Sequence, residues 1–225
     1  MTNKTLLLLG ALTTAACASA PVIDAQQPPQ GRTAPVDSLD PNLVPPGFGT
    51  LRQDDIAIKV APANGAQVRV IPLDERFIRL LSPDSYRTLR DLTKGKSKEI
   101  EAAQSRERLP SYSLWYVSFF AVEQGETRFS PQELIFQNVG RDFRPIDIIP
   151  LTGGFGEYRL RQRDVQSAIY VFDGQVDPNQ PITAVMESTP SVTNWQNVLQ
   201  RVERERALVR SRAASVAKRD SIERL

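Results

Sequence analysis

Acid–base chemistry in this chain would have to come from carboxylates, because the sequence contains no histidine. That absence excludes a Ser-His-Asp triad, a Cys-His pair and a histidine-ligated metal. Asp54, Asp55, Asp142, Asp147, Glu157 and Asp164 are the candidate acids. Two of them roughly 5–9.5 Å apart in a deep cleft would suit glycoside hydrolysis. The single cysteine, Cys17, permits neither an internal disulfide nor a thiolate zinc site. In "DGQVDPN" (173–179), Asp173, Asp177 and Asn179 offer oxygen ligands. The full calcium loop with its terminal glutamate is missing, so the segment reads as a turn between strands. Neither a metal nor a cofactor is implied.

Two glycine-containing stretches have the look of phosphate loops. In "KGKS" (94–97), Arg90 occupies the position of the first glycine of a nucleotide-binding loop, and the preceding residues read as helix. The stretch is a helix C-terminus closed by Gly95. "LTGGFGEYRL" (151–160) lacks the third glycine of a dinucleotide fingerprint, and Glu157 stands where an RNA-binding strand would continue with apolar and aromatic residues. It reads as a turn in which glycines supply positive φ and tight packing. Arg159 within it, and Arg141, Arg144, Arg161 and Arg163 on either side, would form an anion-binding patch if brought together. The formal net charge of +2 does not imply nucleic acid as a partner.

With 40% hydrophobic and 24% charged residues, the 225-residue chain can build a core. "DIAIKV" (55–60) and "AQVRVIP" (66–72) alternate around the turn "ANG" (63–65), which predicts a hairpin. Asp74 is placed to cap one short helix, and Ser82–Pro83 to start a second with Tyr86, Leu89 and Leu92 on its inner face. A third, polar helix is expected over 96–108. "SLWYVSFFAVE" (113–123) is apolar on both faces and predicts a central strand. Further strands are expected at 132–139, 142–151, 165–173 and 181–188. Thr193 and Gln196 form a capping-box pattern that opens a long C-terminal helix. Over 201–225 that helix has eight Lys or Arg against four Asp or Glu, a net of +4. Trp195, Leu199, Val202, Val209, Ala213 and Val216 make its apolar stripe, broken by Glu205 and Arg206. A solvated charged helix docked by Trp195 is the leading reading; a helix–partner contact and an interfacial helix on anionic lipid are the others.

The fold class is therefore mainly β or α+β: an immunoglobulin-like β-sandwich over 51–190, with a helical insertion at about 74–108 and a basic C-terminal helix over 191–225. Ahead of it, seven of the seventeen prolines fall between residues 21 and 50, marking 17–50 as an extended, semi-rigid tether.

The N-terminus indicates an exported protein. Lys4, the apolar run Leu6–Leu12 and the small residues after it have the layout of a signal peptide over 1–16. "TTAAC" (13–17) resembles the lipobox of bacterial lipoproteins, with Ala15 and Ala16 small as required and Thr14 where leucine is commonest. The resemblance covers only this N-terminal stretch. It implies cleavage before Cys17 and acylation there, which attaches the protein to a membrane. Ala18 in place of aspartate resembles outer-membrane sorting, so the expected location is the cell envelope on the periplasmic side, lipid-anchored, in the outer membrane if the source has two.

The expected function is a non-enzymatic binding or assembly module of the bacterial cell envelope, with the membrane as one partner and an envelope protein or polymer as the other. A carboxylate-dependent hydrolase of an envelope glycan is the alternative. A carrier with an apolar pocket between its sheets is the third possibility.

Overall fold

The computed structural model describes residues 40–122 and 125–222. The expected signal peptide, Cys17 and the expected tether through residue 39 lie outside the described residues. The first hairpin pairs β1 (Ile58–Val60) with β2 (Ala66–Pro72) antiparallel, Ile58 opposite Val70. Gly65 turns it at φ +79°, and Asn64 Oδ1 accepts the Ala66 N–H at 3.0 Å. β1 is shorter than the alternation over 55–60 predicts. Gln53–Ile56 coil instead into a 3-10 turn, in which Asp55 accepts the Arg52 N–H at 2.8 Å.

Three helices separate β2 from the next strand. In α1 (Glu75–Ile78), the Asp74 cap accepts the Arg76 N–H at 2.8 Å. α2 (Pro83–Gly95) starts on its proline, and α3 (Ser97–Glu107) follows after Lys96. They bury Phe77, Ile78, Tyr86, Leu89, Ile100 and Ala103. The strands then run β3 (Tyr112–Ala121), β4 (Glu126–Arg128), β5 (Ile135–Asn138), β6 (Arg141–Phe143), β7 (Asp147–Pro150), β8 (Arg159–Arg161), β9 (Val165–Asp173), β10 (Ile182–Met186) and β11 (Thr189–Pro190). α4 (Trp195–Ile222) closes the fold.

The strands make a five-stranded sheet in the order β1-β2-β3-β9-β7, a four-stranded sheet β11-β10-β5-β6 and a two-stranded ribbon β4-β8, with antiparallel pairing throughout. β3 is the middle strand of the largest sheet, as its two apolar faces predict. The stretch 142–151 is not one strand. Proline has no N–H to give a ladder, so β6 ends at Phe143, ahead of Pro145, and the chain joins a different sheet as β7. The fold is thus mixed α/β, with mostly antiparallel sheets and a C-terminal helix.

Aromatic rings join the sheets. Phe136 of β5 lies 4.6 Å from Trp115 of β3 and 4.4 Å from Phe172 of β9. Trp195, at the start of α4, completes the cluster 6.5 Å from Trp115 and 6.0 Å from Phe77, while its Nε1–H donates to Pro178 O at 2.8 Å. These rings occupy the space in which a carrier would need its pocket.

α4 differs from its expected form at two places. Its cap is Asn194, whose Oδ1 accepts the Gln196 N–H at 3.0 Å. Thr193 instead accepts the Lys59 N–H at 2.9 Å, fastening the helix entry to β1. The interruption of its apolar stripe is also not solvated: Glu205 is 5% exposed and Arg206 1%. Glu205 Oε1 accepts from the Thr50 N–H and hydroxyl, each at 2.9 Å, and from Arg212 at 2.7 Å. Arg212 also donates to Phe48 O at 2.7 Å and Arg210 to Pro41 O. The last part of the expected tether, residues 40–50, is therefore drawn into the fold. Val44 is 1% exposed, and at Gly49 a Cβ would stand 2.2 Å from the Leu80 backbone, so only glycine passes there.

Candidate functional site

The β4–β8 ribbon sets up a recess on the described surface. Glu126 faces Arg161, Thr127 faces Leu160, and Arg128 faces Arg159. Strand alternation sends Thr127 and Leu160 inward and leaves the charged residues out. Arg159 pairs with Glu126 at 3.1 Å. Beyond the ribbon, Phe129 N–H donates to Tyr158 O at 3.1 Å, and a short 3-10 turn, Pro131–Glu133, forms the opposite wall.

The glycine cluster leads into the recess, whose lining takes up Glu157 and Tyr158 at the cluster's end. Its residues Phe155–Glu157 form a 3-10 turn that sinks Phe155 to 3% exposure, with its ring 5.5 Å from Phe129 and 6.0 Å from Phe119. The turn between strands is there, but one expected cause is corrected: none of Gly153, Gly154 and Gly156 has a positive φ, whereas the expected tight packing is met at Gly154, where a Cβ would stand 2.8 Å from the Gln166 side chain. The left-handed residue is Tyr158, at φ +54°. Its ring meets Phe129 edge to face at 6.1 Å and 86°, yet Tyr158 remains 47% exposed. A bulky side chain in this backbone region is a local strain of the kind that gathers at ligand clamps. The resulting recess holds about 490 Å³ and is lined by Arg128, Glu133, Glu157, Tyr158 and Arg159, among others.

Behind it, Glu187 sits in the β10–β11 turn at φ +48°, and Asn64 Nδ2 donates to both of its carboxylate oxygens at 3.0 and 2.9 Å. Burial, and after it the negative charge of Glu133, hold the Glu187 carboxyl above the ordinary glutamate range. A carboxyl raised in the folded state binds its proton more tightly there than in the unfolded chain. Its effect on stability is therefore most favourable below the unfolded value and diminishes as pH rises through the folded one. Glu187→Gln removes this dependence. Urea midpoints measured from acid to neutral pH should show the variant gaining on the parent as pH rises; an unchanged difference would contradict the assignment.

The other sequence candidates are dispersed. Asp54 binds Arg69 at 3.0 Å and Lys59 at 3.6 Å, and its hydrogen bond to Arg69 is the main cause that holds it below the usual aspartate range. Asp55 meets Arg201 at 3.0 Å, and Asp147 meets Arg106 at 2.9 Å. Asp164 accepts the Arg161 N–H at 3.1 Å, and Asp142 is exposed on β6. Of the six, Glu157 alone lines the recess, together with Glu133, which its sequence context did not distinguish. Asp173 and Asp177 accept backbone N–H groups two residues on, at 2.8 and 3.0 Å, as turn residues do. Among the described residues no cluster of three or more acidic or cysteine side chains is placed to hold a metal ion.

The arginines occupy different parts of the surface. Arg141 lies on β6, its guanidinium 5.3 Å from the Phe143 ring and donating to Gln175, and Arg144 follows exposed. Arg159 and Arg161 are on β8 in another sheet, and Arg163 (φ +67°) turns the chain toward β9. Arg141 and Arg159 line separate recesses.

No protein-family model, curated protein or solved structure matches this chain. Among the described residues no helix is long and apolar enough to cross a membrane.

Proposed function

We propose that this chain is an exported lipoprotein, tethered to a membrane through acylated Cys17, whose domain is a non-enzymatic binding or assembly module of the bacterial cell envelope. The observation that carries the proposal is the lone cysteine at the end of "TTAAC", after an apolar run and before a proline-rich spacer. The fastening of residues 40–51 onto α4 and Leu80 supports it, because a domain held by its N-terminal chain needs that end secured. We further infer that the five- and four-stranded sheets are the layers of a β-sandwich, supported by the ring contacts between β5 and β3–β9. Antiparallel pairing in both layers is what favours an immunoglobulin-like form; the consecutive run β1-β2-β3 in one sheet departs from the usual strand distribution of that form.

Clickable fatty acid fed to cells making the protein tests the anchor. Label should appear in the parent and vanish in Cys17→Ser; an unlabelled parent, or a labelled variant, contradicts it. The hydrolase reading draws on Glu133 and Glu157 sharing one recess. Release of new reducing ends from envelope glycan, lost in Glu157→Gln, would replace the binding module with that reading.

A further inference from the structure

We propose that the recess around Tyr158 binds an uncharged polyhydroxyl ligand, namely a neutral glycan chain. The proposal rests on the binding-module reading and gives it a ligand class. The first support is charge. Arg128 and Arg159 stand against Glu133 and Glu157, and Arg159 is already paired with Glu126. An anionic ligand would meet two carboxylates, and a cationic one two guanidinium groups, so neither sign is favoured. Sugar hydroxyls both donate and accept. They donate to the carboxylates and accept from the arginines without a charge of their own.

The second support is the ring. Tyr158 combines a large apolar surface, a polar tip and substantial exposure, and it is held by the edge-to-face contact with Phe129 and the hydrogen bond between their backbones. A pyranose presents C–H groups on its faces and hydroxyls around its rim. Such a ring stacks on an aromatic side chain while its rim reaches the surrounding charged groups.

The third support is rigidity. Phe129 lines the recess and packs against Phe119 and Phe155, all three no more than 3% exposed, so this wall is fixed before a ligand arrives. Ordering costs that weaken carbohydrate binding on mobile loops are reduced there. The left-handed backbone at Tyr158 belongs to this arrangement, because it is the residue that carries the chain from the glycine turn into β8.

The test is calorimetric titration of the full chain in detergent with neutral, anionic and cationic oligosaccharides and with unrelated peptides. Neutral oligosaccharides should bind, with an affinity that changes little between about 0.05 and 0.5 M salt. Tyr158→Phe and Tyr158→Trp should stay within about threefold of the parent, and Tyr158→Ala should weaken binding at least about tenfold. Tyr158→Asn removes the ring but tolerates left-handed backbone, so it should lose binding as Tyr158→Ala does while keeping the parent's melting profile. Arg144→Ala, outside the recess, should bind normally. Binding of peptides or charged glycans alone, no binding of neutral glycans, or parent-like affinity in Tyr158→Asn would overturn the proposal. Failure of the tether is read separately, from acylation of Cys17 in cells.

Discussion

Glu205→Ala is expected to destabilise the domain by about 3 kcal/mol, while Arg206→Met, one residue on, should change stability by less than about 1 kcal/mol. The neighbours are both buried charges, but their surroundings differ. Glu205 Oε1 collects the Thr50 N–H, the Thr50 hydroxyl and Arg212. Alanine strands these donors and releases the chain that Arg212 and Leu80 also hold, at Phe48 and Leu51. Arg212 keeps 37% of its side-chain exposure, which lowers the cost from the upper range for a broken buried pair. Arg206 is less well provided for. Its Nε has no partner, its nearest carboxylate belongs to Glu203, which is 64% exposed, and Arg76 O lies 3.4 Å away. Methionine fills similar space without burying an unmatched donor. Glu205→Gln, which retains an acceptor, should fall between the two. Urea unfolding of the set checks the ranking, and equal losses at both positions would contradict the clamp.

Trp115→Ala has the largest effect expected of any single substitution, about 4 kcal/mol. Trp115 is fully buried on the central strand, its ring lies among Phe136 and Trp195, and its Nε1–H donates to Ser113 Oγ at 3.0 Å. Alanine leaves a void where β3, β5 and α4 meet, and three elements cannot all close on it at once. Against a total stability of roughly 5–15 kcal/mol the loss is severe. The melting temperature should fall by roughly 8–16 °C. Trp115→Phe should lose about half as much, because a ring remains to stack on Phe136. A melting shift of only a degree or two for alanine would show that the sheets do not depend on this contact.

What could be read from the sequence follows the range over which each signal acts. β3 was legible because apolar side chains on both faces of one strand require cover on both sides, whatever provides it. α1 and α2 were legible from Asp74 and Ser82–Pro83, since capping is settled within a turn of helix. Glu205 was not, because its partner Thr50 is 155 residues away, and along the helix it looks only like a gap in an apolar stripe. The split at Pro145 was visible as a proline, but its meaning depends on which sheet receives β7. For the candidate site, the glycine cluster pointed to the right stretch, but its left-handed position fell on Tyr158, where intrinsic preference gives no sign of it. Glu133 has no local pattern at all, and only folding places it beside Glu157.

The binding module is tested most directly by photo-crosslinking in living cells. A photoreactive amino acid is placed at Gln132, which lines the recess, or at Leu208, which is 45% exposed on α4. The proposed module predicts a discrete adduct with an envelope polymer from position 132, lost when Tyr158→Asn is added, and none from position 208. An adduct from position 208 alone would move the working surface to the C-terminal helix and contradict the account.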